Sequence, residues 1–141
     1  MIAQRYPEPF IAPMRDELAR LGFEALQTPE AVDAAVAQPG TTLIVVNSVC
    51  GCAAGKARPG IALSLRAGAR PDHLGTVFAG GDLEATARAR EHMAPYPPSS
   101  PSIALLKDGK VVYMMERRDI ENQTADAIAA RLQEAYAANC A

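Results

Sequence analysis

The alternation of apolar and polar positions divides the chain into helical and extended segments. Ile11, Met14, Leu18 and Leu21 recur at the spacing of one helix face, which predicts a first helix beginning at Ala12 or Pro13 and ending before Gly22. Thr28-Pro29-Glu30 reads as an N-cap followed by a proline-initiated helix to about Ala37, stopped by Gln38-Pro39-Gly40. Thr41 to Asn47, TTLIVVN, is a short β-branched run of the kind expected in a strand buried on both faces. After Cys52, the segment AAGKARPGIALSLRAG predicts a helix kinked at Pro59. A second strand is expected between Gly75 and Gly80 around TVFA, and Asp82 is placed to cap a helix from about Leu83 to Met93.

Pro95 to Pro101 holds four prolines and reads as a loop, because proline removes backbone donors and breaks helices. Ile103 to Leu106 and Val111 to Met115 flank Lys107-Asp108-Gly109-Lys110, in which Asp-Gly is a strong hairpin signal. A last helix, from about Thr124 to Ala138, carries Ile128, Leu132 and Tyr136 as its buried stripe. Strands alternating with helices require parallel crossovers, and the hairpin adds antiparallel strands to the same sheet. The expected fold class is α/β, a central four-stranded mixed sheet flanked by helices with an N-terminal two-helix extension over residues 1–40. No linker divides the 141 residues, so a single domain over 1–141 is expected.

Composition narrows the function. The chain is 49% apolar, but 28 residues are alanine, which favours tight, helix-rich packing. Lys and Arg number 14 against 16 Asp and Glu, a formal charge of −2 with no basic stretch, which argues against nucleic acid as a partner. The N-terminal MIAQRYPEPF has prolines and a glutamate where a signal peptide needs an apolar run. No segment approaches the roughly 18 apolar residues of a membrane span, so a cytoplasmic protein with no membrane partner is expected. In that compartment thiols stay reduced, and Cys50, Cys52 and Cys140 are not expected to build a disulfide framework.

Cys50 and Cys52 stand where a buried strand hands over to a helix, whose unpaired N–H groups and dipole favour a thiolate. Lys56 and Arg58 add positive charge nearby in sequence, to which a modest role is assigned. Gly51 allows a tight backbone path between the two sulfurs, and a disulfide closing so small a ring would be labile. Other readings stay open at this point. The cysteines could be small core residues. With Cys140 and either His73 or His92 they could supply metal ligands, although neither histidine has a partner at zinc-finger spacing. They could also serve a persulfide carrier, or be incidental to an interaction module. His73 and His92 otherwise read as solvated surface histidines, and Cys140 as a further resolving thiol or a bystander near the chain end. Glu116 to Asp119 reads as a solvated charge cluster, whose Arg117 and Arg118 could bind a carboxylate-bearing thiol.

The element order, with a cysteine motif at the first strand-to-helix turn and Ser100-Pro101 before the third strand, resembles the thioredoxin fold. More narrowly, Asn47-Ser48-Val49-Cys50-Gly51-Cys52-Ala53-Ala54-Gly55, Ala57-Arg58-Pro59, Phe78-Ala79-Gly80, Pro98-Ser99-Ser100-Pro101-Ser102, Ala104-Leu105-Leu106 and the cysteine beside the C-terminus resemble the bacilliredoxin family. The resemblance implies a cis peptide bond before Pro101 and a substrate contact formed by Gly51, Ser100 and Pro101. It implies a thiol-disulfide oxidoreductase with no bound cofactor. Bacillithiol, a low-molecular-weight thiol, would be co-substrate, and bacillithiolated client proteins the partners. Cys50 would attack the mixed disulfide, and Cys52 or a second bacillithiol would resolve the adduct; disulfide reductase or isomerase activity is implied as well. The family motif has one residue between its cysteines where thioredoxins have two.

Overall fold

The protein is described by a computed structural model covering residues 6–66 and 68–140. In chain order the elements are α1 (Glu8–Ala19), β1 (Glu24–Ala25), α2 (Pro29–Ala37), β2 (Thr41–Asn47), a π-helical turn (Ala53–Ala57) running into α3 (Arg58–Ser64), β3 (His73–Phe78), α4 (Leu83–His92), β4 (Ser102–Lys107), β5 (Lys110–Met115), α5 (Arg117–Glu121) and α6 (Ala125–Asn139). The sheet order is β1-β3-β2-β4-β5, with β1 and β2 parallel to β3 and the remaining pairs antiparallel.

β2 lies at the centre, and every one of its seven residues is buried. Its side chains alternate between two cores, as period-2 geometry requires. Leu43 and Val45 pack with Leu18 of α1, Ile61 of α3 and Ile128, Leu132 and Tyr136 of α6. Ile44 and Val46 pack on the other face with Val32 and Val36 of α2 and Ala85 and Ala89 of α4. The small alanines of α4 let it lie close to the sheet, which is where the alanine-rich composition has its use.

The sheet has five strands, one more than the sequence pattern indicates. The addition is β1, whose two residues pair with Gly75 and Thr76 and are followed by Leu26 N–H donating to the Thr76 carbonyl at 2.8 Å. Two residues leave no readable period, and the strand exists because β3 offers it an edge. α1 starts four residues before Ala12, with Pro9 in its first turn and Pro13 inside. The extra turn is held by tertiary contact: Ile11 is fully buried, and its Cδ1 lies 2.5 Å from where a Cβ on Gly81 would stand. Asp82 precedes α4 without capping it. Its carboxylate is taken by Arg15, at 2.7 and 3.2 Å, and by the Phe78 N–H at 3.0 Å.

Helical backbone runs from residue 51 to residue 64, but not as a plain α-helix. Pro59 cannot donate to the i−4 carbonyl, and the chain widens just upstream, where the Arg58 N–H donates to Ala53 five residues back. The β4–β5 turn has positive φ at both Asp108 (50°) and Gly109 (83°), the conformation that an Asp-Gly hairpin turn needs. The Ala94–Pro95 and Ser100–Pro101 peptide bonds at the ends of the proline-rich loop are cis. Among the described residues no helix is long and apolar enough to cross a membrane.

α3 and α6 approach closely at Gly60. A Cβ there would lie 2.7 Å from Ile128 Cγ2, 2.9 Å from Ile128 Cβ and 3.1 Å from the Ala125 carbonyl oxygen. Because the obstacle includes backbone, a larger side chain cannot be absorbed by one rotamer change. Gly60→Val is expected to lower the unfolding free energy by about 2 to 3 kcal/mol, read from urea denaturation. An unchanged midpoint would show that the two helices have room to part.

Candidate functional site

The site is built at the carboxyl end of β2. Asn47 closes the strand, and its Oδ1 accepts the Ser48 N–H at 2.9 Å. Ser48 Oγ in turn accepts the Cys50 N–H at 2.9 Å. Beneath this turn lies Arg58, whose side chain is 3% exposed. It donates from NH1 to Asn47 Oδ1 (2.9 Å) and to the Ser48 carbonyl (3.2 Å), and from Nε to Glu17 (3.0 Å). Asn47 Nδ2 donates to the Met14 carbonyl, so α1, β2 and α3 meet at one network. The modest electrostatic role assigned to Arg58 from sequence is therefore corrected: its charge is committed to the turn. Lys56 is likewise directed elsewhere, donating to the Glu121 carbonyl at the end of α5.

Cys50 and Cys52 are both partly exposed and both free thiols. Their sulfurs lie 2.9 Å apart, within reach of one S–H donating to the other sulfur. Cys50 Sγ also accepts the Cys52 N–H at 3.4 Å, and the Cys50 carbonyl accepts the Ala53 N–H at 3.0 Å. Cys50 thus occupies the place of an N-cap, with sulfur standing where a capping oxygen would be. The S–H of Cys52 is the main cause holding the Cys50 thiol below its ordinary range. Partial burial opposes it, while the Cys52 N–H, the charge of Arg117 and the Ala53 N–H assist. Cys52 moves the opposite way, because it donates to Cys50, is partly buried and faces the negative charge that forms there. One sulfur ionises readily, and its neighbour keeps the proton.

Arg117 is the cation that sequence reading left in a charge cluster. That cluster is a short capped helix, in which Glu116 and Asp119 each accept the other's backbone N–H. It carries no apolar stripe, and nothing in sequence spacing links Arg117 to Cys50. The cysteine faces a cleft of about 480 Å³ whose walls include Tyr6, Ser48, Cys50, Gly80, Ser100 and Arg117. Of the residues singled out from sequence, Cys50, Ser100 and Arg117 line this cleft. Gly51 is exposed on the turn beside it, Cys52 packs toward the core, and Pro101 is buried behind Ser100.

The remaining candidates are dispersed. Cys140 is buried in the core cluster with Tyr136. His73 Nε2 lies 3.3 Å from the Pro39 carbonyl. His92 is not simply solvated: its Nε2 is 2.8 Å from Asp33, which also accepts from Arg88 at 2.6 Å. Among the described residues no three His, Cys, Asp or Glu side chains are grouped to hold a metal ion, so the three-cysteine ligand set considered from sequence does not assemble.

Replacing Cys52 by alanine removes the main donor to Cys50. In the intact protein the pair is expected to lose its first proton below the ordinary cysteine range and its second above it. In Cys52→Ala the one step left to the pair, that of Cys50, should move up from that first value, followed by thiolate absorbance against pH in a Cys140→Ser background. A Cys50 titration unchanged by Cys52→Ala would contradict the assignment.

Comparison with known proteins agrees with this geometry. A sequence model of the family described as disulphide isomerase matches residues 6–140. A bacilliredoxin of Cytophaga hutchinsonii is 58% identical over 131 residues, spanning 93% of this chain and 97% of its own. A bacilliredoxin of Bacillus cereus is 57% identical over 126 residues, 89% and 88% of the two chains. Among solved structures, the thioredoxin of Malassezia sympodialis superimposes with a TM-score of 0.55 at 14% identity, covering 84% of this chain and 91% of that one. Mitochondrial thioredoxin 3 of Saccharomyces cerevisiae gives 0.54 at 14% identity, covering 82% and 94%. The structural matches establish the thioredoxin-like fold, and the sequence matches establish that the chain belongs to the bacilliredoxin family of thiol-disulfide oxidoreductases.

Proposed function

We propose that the protein removes bacillithiol from protein mixed disulfides, with Cys50 as nucleophile and Cys52 as resolving thiol. The observation that carries this reading is the partly exposed Cys50 sulfur, which lies 2.9 Å from Cys52 Sγ and accepts the Cys52 N–H at 3.4 Å. The names of the relatives support bacillithiol as the thiol, and the proposal has the redox work done in the cytoplasm, where such a thiol pool would act.

In the first step the Cys50 thiolate attacks the bacillithiol sulfur of the client's mixed disulfide. A Cys50–bacillithiol disulfide forms, the client–bacillithiol bond breaks, and the client leaves as a thiolate that takes a proton from solvent. The Cys50 negative charge is consumed in that step. Two of the causes that hold the Cys52 proton, the hydrogen bond to Cys50 and its charge, disappear together. Cys52 then ionises more readily and attacks Cys50, giving the Cys50–Cys52 disulfide and free bacillithiol. A second bacillithiol can attack in its place, giving bacillithiol disulfide and reduced Cys50. Each exchange conserves electrons, with one disulfide broken for each one formed.

Gly51, Ser100 and Pro101 are proposed to contact the client. Ser100 stands in the same cleft as Cys50, which supports its part. Reductase or isomerase action on other disulfides would begin with the same attack by Cys50.

Cys52→Ser protein incubated with a bacillithiolated client is expected to retain one bacillithiol on Cys50 by mass spectrometry, while Cys50→Ser retains none. A client left bacillithiolated, with no adduct on Cys50, would overturn the reading.

A further inference from the structure

We infer that Arg117 is a specificity-determining residue of the Cys50 cleft, binding a carboxylate of an anionic small-molecule thiol as Cys50 forms or breaks the disulfide to it. The inference rests on the exchange chemistry proposed above and adds to it the charge of the thiol and the residue that reads it.

Among the described residues that line the Cys50 cleft, Arg117 is the one charged group besides the Cys50 sulfur when ionised; the rest of its wall is made by groups such as Tyr6, Ser48, Ala79 and Ser100. Among the described residues no carboxylate lines this cleft to repel an anion, and one guanidinium is present to attract it. A cationic thiol would find no partner for its charge there, and a neutral one would make no ion pair with the guanidinium.

Arg117 is also held in place. Its backbone N–H donates to Ser99 Oγ at 3.3 Å, which ties it to the loop that carries Ser100. The helix it begins is fastened to the π-helical turn by Lys56 donating to the Glu121 carbonyl. Among the described residues its side chain forms one ion pair, from Nε to Glu121 at 3.3 Å, and it remains 48% exposed. That contact is between two half-exposed groups, so a ligand carboxylate displaces it at little cost. The fork of terminal nitrogens is suited to grip a carboxylate in two-point fashion, which an ammonium cannot do.

Arg117 further lines a second cleft of about 330 Å³ with Pro97, Pro98, Ser99 and Arg118; Glu116 and Glu121 line it too, each paired with an arginine, Arg118 and Arg117 respectively. The two clefts adjoin at this residue, so a thiol whose sulfur meets Cys50 has room to extend past the arginine. Arg118 differs: its NH2 is engaged by Glu116 at 3.2 Å, and it does not line the Cys50 cleft.

The chemistry tested is one exchange. The Cys50 thiolate attacks a symmetric disulfide, a Cys50 mixed disulfide forms, the reagent's S–S bond breaks and its second half leaves as a thiolate. The probes are the dianionic dithiobis(nitrobenzoate) and the neutral dithiodipyridine, each releasing a coloured thiol on reaction, followed by stopped flow with the reduced full-length chain. Arg117→Ala is expected to lower the rate constant for the anionic reagent relative to the neutral one by about tenfold, the size of one charge-assisted hydrogen bond. Arg117→Lys should restore part of the ratio, and Arg118→Ala should leave it unchanged. A loss shared equally by both reagents would assign Arg117 to the thiolate alone and overturn the inference, as would an unchanged ratio or an equal effect of Arg118→Ala. Reaction of Cys50 with neither reagent in the unaltered protein would overturn the exchange chemistry itself, and this inference with it.

Discussion

The buried guanidinium of Arg58 fixes the turn on which both cysteines depend. A cation taken out of water is costly unless its donors are met, and here they are met by Glu17, by Asn47 and by the Ser48 carbonyl. Each acceptor belongs to a different stretch of backbone: Glu17 to α1, Asn47 to the end of β2, and Ser48 to the turn itself. Asn47 then presents its oxygen to Ser48, and Ser48 presents its hydroxyl to Cys50. The conformation of the Cys50 backbone is therefore set by hydrogen bonds that begin in the core, although the sulfur itself reaches the surface.

From that fixed turn follows the division of labour between two chemically identical thiols. Cys50 Sγ accepts the Cys52 N–H, and its thiol is held below the ordinary range while that of Cys52 is held above it. The asymmetry arises from position at a helix start: the first residue of the turn sees N–H groups ahead of it, and the residue two places on has its own N–H directed back. Because the Cys52 proton is retained chiefly by its hydrogen bond to Cys50, with burial and the Cys50 charge adding to it, converting Cys50 to a disulfide releases the second thiol for its own attack. The same hydrogen bond thus serves both halves of an exchange cycle.

Much of this was legible in the sequence. The β-branched run Thr41 to Asn47, the Asp108-Gly109 turn and the Ile128, Leu132, Tyr136 stripe each carry a local signal, and each became the element it indicates. The cysteines could be placed at a strand-to-helix turn because both neighbouring elements were readable. What was not legible depends on partners far apart in the chain. β1 has only two residues and exists through β3. Asp82 has the sequence signature of a cap, yet it pairs with Arg15 across 67 positions. Arg58 reads as positive charge near the cysteines until Glu17, 41 positions away, is seen beside it. Arg117 lies in a charge-rich segment with no periodicity, and only the folded chain brings it to Cys50. Cys140 and the two histidines are the converse case, suggestive by residue type but separated by the fold.

The most direct test of the division between the cysteines uses the unaltered, fully reduced protein. It is treated with less than one equivalent of iodoacetamide at mildly acidic pH, and the labelled position is read by peptide mass spectrometry. Label on Cys50, with Cys52 and Cys140 unmodified, is the expected result, because the Cys50 thiol is held below its ordinary range, that of Cys52 is held above it, and Cys140 is buried in the core. Label on Cys52, or an even distribution between Cys50 and Cys52, would contradict it.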